Sequence, residues 1–240
     1  MPLQWLACRL RSPLRHWLPR WFHKAVCAAM GMRVATVGQA ARDRPRMVVA
    51  NHVSWLDIPA LGSSMTLSFL AKKEVGEWPV IGAFARLQNC LFVDRTRKRA
   101  LPEVNHSMAA SLGSGNALVL FPEATTGDGN RLLRFHAPHF AAAIATSRTS
   151  GGCWLQPVAV QYRRRNGLPF DRLTRPGIAW YGDMTFLPHL WSILRDGPID
   201  CLLIHGEPLA VAPDSHRKQL ASACRVALRG LLADDHAATP

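Results

Sequence analysis

The chain has 240 residues, and 29 Lys and Arg against 16 Asp and Glu give it a formal net charge of +13 at pH 7. Its length suits one large domain, and such a basic surface favours an anionic partner: nucleic acid, an anionic lipid surface or an acidic small substrate. Six cysteines without a Cys-x-x-Cys pair argue against a zinc site and a disulfide framework, and they fit a reducing compartment.

Residues 1–34 combine apolar and basic side chains. Their apolar positions follow helical spacing and alternate with residues such as Arg15 and Arg20, while Pro13 and Pro19 predict a broken pair of helices. No stretch has the roughly 18 uninterrupted apolar residues that a membrane-spanning helix needs. We therefore expect an amphipathic segment that associates with an anionic membrane surface. The alternative is an amphipathic helix packed on the domain's own core.

The apolar run at residues 47–50 predicts a buried strand, which leads directly into residues 51–57, NHVSWLD. Ser54 and Asp57 fit a capping box for a following helix. His52 is then expected in a strand-to-helix loop, within reach of Asp57. A carboxylate that holds one imidazole nitrogen leaves the other free to take a proton from a hydroxyl. The alternative is that Asp57 only caps the helix and His52 is an ordinary loop residue.

Further along the chain, predicted strands alternate with predicted helices. Strands are expected at residues 66–71, 90–93, 117–121, 154–162 and 201–205. Helices are expected at residues 78–87, 97–112, 139–146, 186–194 and 215–232. This alternation predicts a single α/β domain over residues 35–235, with a mixed, mostly parallel sheet flanked by helices.

Polar side chains follow three of the predicted strands. They are His52 with Asp57, Asp94 with Arg95, and Glu123 with the turn after it. Functional residues of α/β sheets gather where strands end, so the three sets are expected at one edge. No histidine has a partner at a spacing typical of metal ligands, and we expect no metal.

These motifs resemble those of the glycerolipid acyltransferases typified by lysophosphatidic-acid acyltransferase. The family's His-x4-Asp block matches His52 to Asp57, and its Phe-Pro-Glu-Gly-Thr block resembles residues 121–125, FPEAT. Two further blocks resemble residues 91–95 and 155–160. A lone His-x4-Asp is a weak signal, but four blocks in order are specific.

The resemblance implies an O-acyltransferase without a cofactor, associated with the cytoplasmic face of a bacterial inner membrane. His52, oriented by Asp57, would deprotonate a lysolipid hydroxyl, which then attacks the thioester of acyl-CoA or acyl-carrier protein. Ser54 is expected to cap the helix, not to act as a nucleophile, and the absence of a Gly-x-Ser-x-Gly elbow counts against an α/β-hydrolase. Residues expected to bind substrate are Lys72, Lys73, Asp94, Arg95, Glu123, Thr125, Thr126 and Asp128.

Two departures from the family pattern bear on the acceptor. The family usually has Gly at position 124 and Arg at 126, where this chain has Ala124 and Thr126. Alanine tolerates positive φ poorly, so the turn differs or its φ is negative.

Arginine suits phosphate recognition, whereas the carboxylate of Asp128 repels a phosphate and attracts an amine. The Glu-x-Thr-Thr-x-Asp-Gly sequence is similar to the branch that acylates lyso-ornithine lipid, an aminolipid without phosphate. That acceptor is favoured over 1-acyl-sn-glycerol 3-phosphate.

A basic binding module without catalysis is the alternative from another class. Its charge alone suggests nucleic acid, but the arginines are dispersed and no aromatic-basic recognition motif occurs, so no nucleic-acid partner is expected. A membrane-surface protein without catalysis would bind anionic vesicles equally well without His52.

Overall fold

The computed structural model describes residues 2–10, 12, 14–78, 81–88, 90–93 and 101–233. Its strands are β1 (Met32–Val37), β2 (Arg46–Ala50), β3 (Ser68–Lys72), β4 (Leu91–Val93), β5 (Leu118–Leu120), β6 (Cys153–Arg165), β7 (Leu168–Pro169), β8 (Ile199–His205) and β9 (Leu209–Val211). Its helices are α1 (Pro2–Arg9), α2 (Leu14–Ala29), α3 (Asp57–Ser64), α4 (Lys73–Glu77), α5 (Ile81–Leu87), α6 (Leu101–Gly113), α7 (Phe140–Ser150), α8 (Phe186–Arg195) and α9 (Arg217–Ala233).

The strands form one sheet in the order β1-β8-β6-β2-β5-β3-β4, with β7 and β9 each paired to β6. β6, β2, β5, β3 and β4 run parallel, whereas β8 and β9 run antiparallel to β6. The predicted α/β domain with a mixed, mostly parallel sheet is therefore confirmed. Because parallel strands end at one edge, the segments after β2, β5 and β3 leave the sheet side by side.

Helices cover both faces of the sheet. Side chains of α2, α3 and α8 share one buried cluster, and those of α6, α7 and α9 share the other. Strand β2 shows why: Val48 and Ala50 belong to the first cluster and Met47 and Val49 to the second. Alternate residues of a strand point to opposite faces, so an uninterrupted apolar run is buried on both sides. This burial fixes the strand that leads into His52.

The N-terminal helices begin as two pieces, α1 and α2, and Pro19 lies inside α2. Residues 32–37 then form β1, which pairs in parallel with β8, so the expected boundary at residue 34 falls inside a strand. Pro13 lies outside the described residues. Within the described ranges, no helix is long and apolar enough to cross a membrane.

One side of α2 packs on the domain core, as the alternative for this segment proposed. His23 and Cys27 are buried there, and Arg20 Nε donates a 3.0 Å hydrogen bond to the carbonyl of Ser63 in α3. A Cβ at Gly62 would overlap the His23 ring, so the two helices approach closely. The other side of α2 leaves large apolar side chains exposed.

Several predicted elements need correction. The helix expected at residues 78–87 is present as the shorter α5, and α4, which begins immediately where β3 ends, was not predicted. Strand β1 was not predicted, and neither were β7 and β9, whose two or three residues give no measurable alternation. The remaining predicted strands and helices are present with shifted ends, apart from residues 97–100 of the helix expected at 97–112, which lie outside the described residues.

Candidate active site

The loop after β2 is attached to the sheet by Asn51. The Asn51 side chain donates from Nδ2 to the Val160 carbonyl (3.0 Å) and accepts at Oδ1 from the Val160 amide (2.8 Å). Both partners lie on β6, the strand beside β2. The residue directly before His52 is therefore fixed by the sheet, so the loop starts from a rigid position.

The His52 ring contacts the Asp57 carboxylate, as the motif predicted. Nδ1 of His52 lies 2.8 Å from Oδ2 of Asp57, which also accepts hydrogen bonds from the amides of Val53 (2.7 Å) and Ser54 (3.0 Å). The Tyr162 hydroxyl donates to the other carboxylate oxygen, Oδ1, at 2.6 Å. Asp57 is fully buried, so these four contacts hold both the carboxylate and the ring in place.

Ser54 does not cap α3, contrary to the sequence prediction. The N-cap position is Leu56, without a side-chain cap bond, and the buried Ser54 hydroxyl has no hydrogen-bond partner within the described part of the chain. Only the reciprocal half of the capping box forms, in which the Asp57 carboxylate accepts the Ser54 amide. The loop folds back so that its amides reach this carboxylate, and the His52 ring therefore lies beside Asp57.

The second ring nitrogen of His52 faces away from this network. The ring stacks on Phe121, with centroids 4.0 Å apart and planes at 13°. The His52 side chain is 19% exposed, and its Nε2 has no hydrogen-bond partner among the described residues. Because a carboxylate only accepts, Nδ1 carries a proton, and in the neutral ring Nε2 then presents a lone pair. The arrangement can accept a proton from a bound hydroxyl group.

Glu123 holds the main chain of His52. Its Oε1 accepts the His52 amide (2.9 Å), and its Oε2 accepts the Leu133 amide (2.7 Å). Burial raises the pKa of this carboxyl, while the hydrogen bonds from the two amides act in the opposite direction. The Gly127 amide donates to the His52 carbonyl at 3.0 Å. Both carboxylate oxygens of Glu123 thus accept backbone amides, and the expected contact of Glu123 with substrate stays a prediction.

The turn after Glu123 has the backbone that favours glycine. Ala124 adopts φ of +60°, so the alternative of a negative φ at this position is wrong. A left-handed conformation costs a non-glycine residue about 1–2 kcal/mol. Thr125 is exposed and Thr126 half-buried. Asp128 is half-buried, and its Oδ1 accepts the Asn130 amide at 3.0 Å.

Of the other expected substrate-binding residues, the structure describes Lys72 and Lys73. Lys72 ends β3, and the exposed Lys73 begins α4. No hydrogen bond or ion pair within the described ranges connects Lys73 to His52. Asp94 and Arg95 lie outside the described residues. Among residues that the structure describes, no cluster of His, Cys, Asp and Glu could hold a metal ion.

Tyr162, Phe121 and Asn51 contribute to the site but were not predicted as site residues. Asn51 and Phe121 lie inside the two motifs, but roles were predicted only for their neighbours. Tyr162 shares a sheet face with Val158 and Val160 by alternation along β6, which is a weak signal. Its contact with Asp57 joins residues 105 positions apart, so no local spacing could reveal it.

Comparisons with known proteins agree with this fold. The Acyltransferase family model matches residues 32–161. The chain is 41% identical over 234 residues to a lyso-ornithine lipid O-acyltransferase of Brucella abortus, covering 97% of this chain and 88% of that protein. It is 39% identical over 236 residues to one of Rhizobium meliloti, covering 98% and 81%.

More distant relatives act on a phosphate-bearing acceptor, according to their names. A 1-acyl-sn-glycerol-3-phosphate acyltransferase of Neisseria meningitidis is 31% identical over 214 residues, covering 88% of this chain and 79% of that protein. The crystal structure of the 1-acyl-sn-glycerophosphate acyltransferase PlsC from Thermotoga maritima is similar with a TM-score of 0.62 at 25% identity, covering 89% and 78%. The fold is therefore that of an acyl-transferring enzyme. The chain belongs to the acyltransferase family, as its motifs predicted.

Proposed function

We propose that the protein transfers a fatty acyl chain from acyl-CoA or acyl-carrier protein to the hydroxyl of a lysolipid, and that lyso-ornithine lipid is the acceptor. The observation that carries the proposal is the 2.8 Å contact between His52 Nδ1 and Asp57, which leaves Nε2 open. The relatives that are 41% and 39% identical over nearly the whole chain bear the name of that activity.

In the proposed reaction, His52 acts as a general base. Nε2 takes the proton of the acceptor hydroxyl while the oxygen attacks the thioester carbonyl carbon. The tetrahedral intermediate collapses, the carbon–sulfur bond breaks, and the imidazolium returns the proton to the thiolate. Asp57 stabilises the imidazolium between these steps, and general bases contribute about 10²–10⁴-fold to rates. No acyl-enzyme forms, and the hydroxyl of Ser54 is buried.

Two side chains support an acceptor without phosphate. Thr126 stands where the family usually has the arginine associated with the acceptor's phosphate. Asp128 lies in the same loop, which is tied to His52 through the Gly127 amide. A phosphate bound beside Asp128 would meet a like charge, whereas the ammonium of an aminolipid would meet an opposite one.

We also propose that the enzyme works at the cytoplasmic face of the inner membrane. Helices α1 and α2 expose Trp5, Trp17 and Trp21, and the Arg9 guanidinium lies 5.2 Å from the Trp5 ring centroid. Helix α8 lies on the same face of the sheet as α2 and exposes Trp191. Tryptophan beside basic residues suits the interface of an anionic bilayer.

The test is acyl transfer in mixed micelles, with labelled acyl-CoA and labelled acyl-carrier protein as separate donors. Each donor is offered lyso-ornithine lipid or 1-acylglycerol 3-phosphate as the acceptor. Labelled ornithine lipid as the main product supports the proposal. Labelled phosphatidic acid alone would keep acyl transfer and overturn the acceptor, and no product with either acceptor would overturn both.

A further inference from the structure

Three segments meet at Gly129, close to the His52 loop. Its φ is +79°, and a Cβ placed there would lie 3.1 Å from Arg175 Cγ and 3.2 Å from Val53 Cγ1. The loop after Glu123, the loop after β2 and the short 3₁₀ helix Arg175–Gly177 therefore pack against one glycine. As a result, the aliphatic part of Arg175 lies beside the residue that follows Asp128.

Hydrogen bonds hold these segments together. The Trp180 amide donates to the Val53 carbonyl at 3.0 Å, and Asn130 Nδ2 donates to the Arg172 carbonyl at 3.0 Å. The segment that carries Arg175 is thus attached on one side to the loop of His52 and on the other to the loop of Asp128. Together with the loop of Asp128, this segment forms one wall of the candidate active site.

Two charged side chains of this wall, those of Asp128 and Arg175, have unused bonding capacity. Asp128 uses Oδ1 for the Asn130 amide, and its Oδ2 has no partner among the described residues. The Arg175 guanidinium has no hydrogen bond or ion pair within the same ranges. Hydrogen bonds from Thr174 lower the pKa of nearby Asp171, with a smaller contribution from the Arg175 charge, and Asp171 Oδ1 serves Leu173 and Thr174.

We infer that Asp128 and Arg175 form the headgroup subsite for a zwitterionic amino acid, in which Arg175 binds the carboxylate and Asp128 the ammonium. The inference rests on the proposed lyso-ornithine acceptor, whose headgroup carries both charges when it is acylated on its α-nitrogen. A guanidinium offers two parallel N–H donors that match a carboxylate, and Asp128 accepts from an ammonium. The two opposite charges on one wall select the headgroup beside the reacting hydroxyl.

The experiment compares three acceptors that differ by one charge each. They are lyso-ornithine lipid, the same acyl amide of putrescine, which lacks the carboxylate, and the same amide of norvaline, which lacks the ammonium. Arg175→Gln should lower kcat/KM for lyso-ornithine lipid about 10–100-fold and leave the putrescine amide unchanged. Asp128→Asn should lower kcat/KM for lyso-ornithine lipid similarly and leave the norvaline amide unchanged.

Arg172→Gln is the matched control, because that exposed arginine contributes only its carbonyl to the wall. It should leave all three acceptors unaffected. Arg175→Lys keeps the stem and the charge, so it should fold even if Arg175→Gln does not, and it should also lose rate on lyso-ornithine lipid but not on the putrescine amide.

An equal loss on all three acceptors in Arg175→Gln and Arg175→Lys would make Arg175 a packing residue and overturn the subsite, while acylation of lyso-ornithine lipid would stand. No loss on any acceptor in these variants would overturn it in the same way. Failure of the unmodified enzyme to acylate lyso-ornithine lipid would instead overturn the proposed acceptor, and the subsite with it.

Discussion

His52 and His23 both lie against the hydrophobic core, but their ring nitrogens meet different partners. His52 Nδ1 lies 2.8 Å from the Asp57 carboxylate, at the edge where the parallel strands end. His23 is buried between α2 and α3, with Nε2 2.6 Å from the amide nitrogen of Gln88, and burial lowers the pKa of His23 to about 4. The hydrogen bond with Gln88 raises this pKa but does not outweigh burial, whereas a buried carboxylate stabilises an imidazolium more strongly than a neutral amide does.

His189 extends the comparison, because it lies nearer the site but resembles His23. The Trp55 indole donates to His189 Nδ1 at 3.0 Å, and burial lowers the pKa of His189. Proximity to the site therefore does not make a histidine a base. The partner of the ring decides whether it can hold a proton during turnover, and this favours His52 as the proposed base.

The largest effect short of removing the base is expected from Asp57→Asn, which gives His52 the kind of neutral partner that His23 has. We expect kcat to fall about 10²–10⁴-fold, since the imidazolium loses its counter-charge and the ring its orientation. Steady-state acyl transfer measures it, with a thermal unfolding curve to verify folding. Turnover within a few-fold of the unmodified enzyme would show that the carboxylate is not needed.

A second prediction concerns the contribution of His23 to the pH dependence of protein stability. The pKa of His23 is near 6.5 in the unfolded chain and falls to about 4 in the folded chain. The free energy of unfolding should therefore fall as the pH drops through this window, by about 3 kcal/mol from His23 at its lower end. Urea unfolding between pH 7 and 4 tests this. His23→Gln should flatten the slope, and an unchanged slope would contradict the assignment.

Tyr162→Phe should have a smaller effect on both rate and stability. It removes the 2.6 Å hydrogen bond to Asp57 Oδ1. Losing a buried hydrogen bond to a charged group costs about 1.5–3 kcal/mol, and a less firmly held Asp57 should lower kcat about tenfold. Tyr181→Phe is the matched control, because no hydrogen bond of its hydroxyl joins this network. Equal behaviour of the two variants would exclude Tyr162 as a positioning residue.

The smallest effect is expected from Ala124→Gly. Glycine relieves about 1–2 kcal/mol of strain at φ of +60° but adds roughly 0.5–1 kcal/mol of unfolded-chain entropy, so the variant should gain about 0–1.5 kcal/mol of stability. Acyl transfer should be unchanged. Ala212→Gly, in an exposed loop without positive φ, should lose stability instead. A loss in both would show that the turn is not strained.

The parts of this molecule that could be predicted are those with a local pattern. Strand β2 was predicted from an uninterrupted apolar run. The contact between His52 and Asp57 was predicted because one short loop joins the two residues. The contact of Tyr162 with Asp57 and the approach of Arg175 to Gly129 depend on how distant segments pack, so no spacing encodes them. The predicted helix cap by Ser54 is wrong for a local reason, because the amide of Ser54, and not its hydroxyl, bonds to Asp57.

The central claim is that His52 accepts the proton of the acceptor hydroxyl. Its most direct test is turnover of His52→Ala beside His136→Ala, since His136 is exposed and contributes only its amide to the site region. We predict at least a 10²-fold loss in the first variant and none in the second, with both proteins folded. Comparable turnover of the two variants would contradict the claim and show that another group serves as the base.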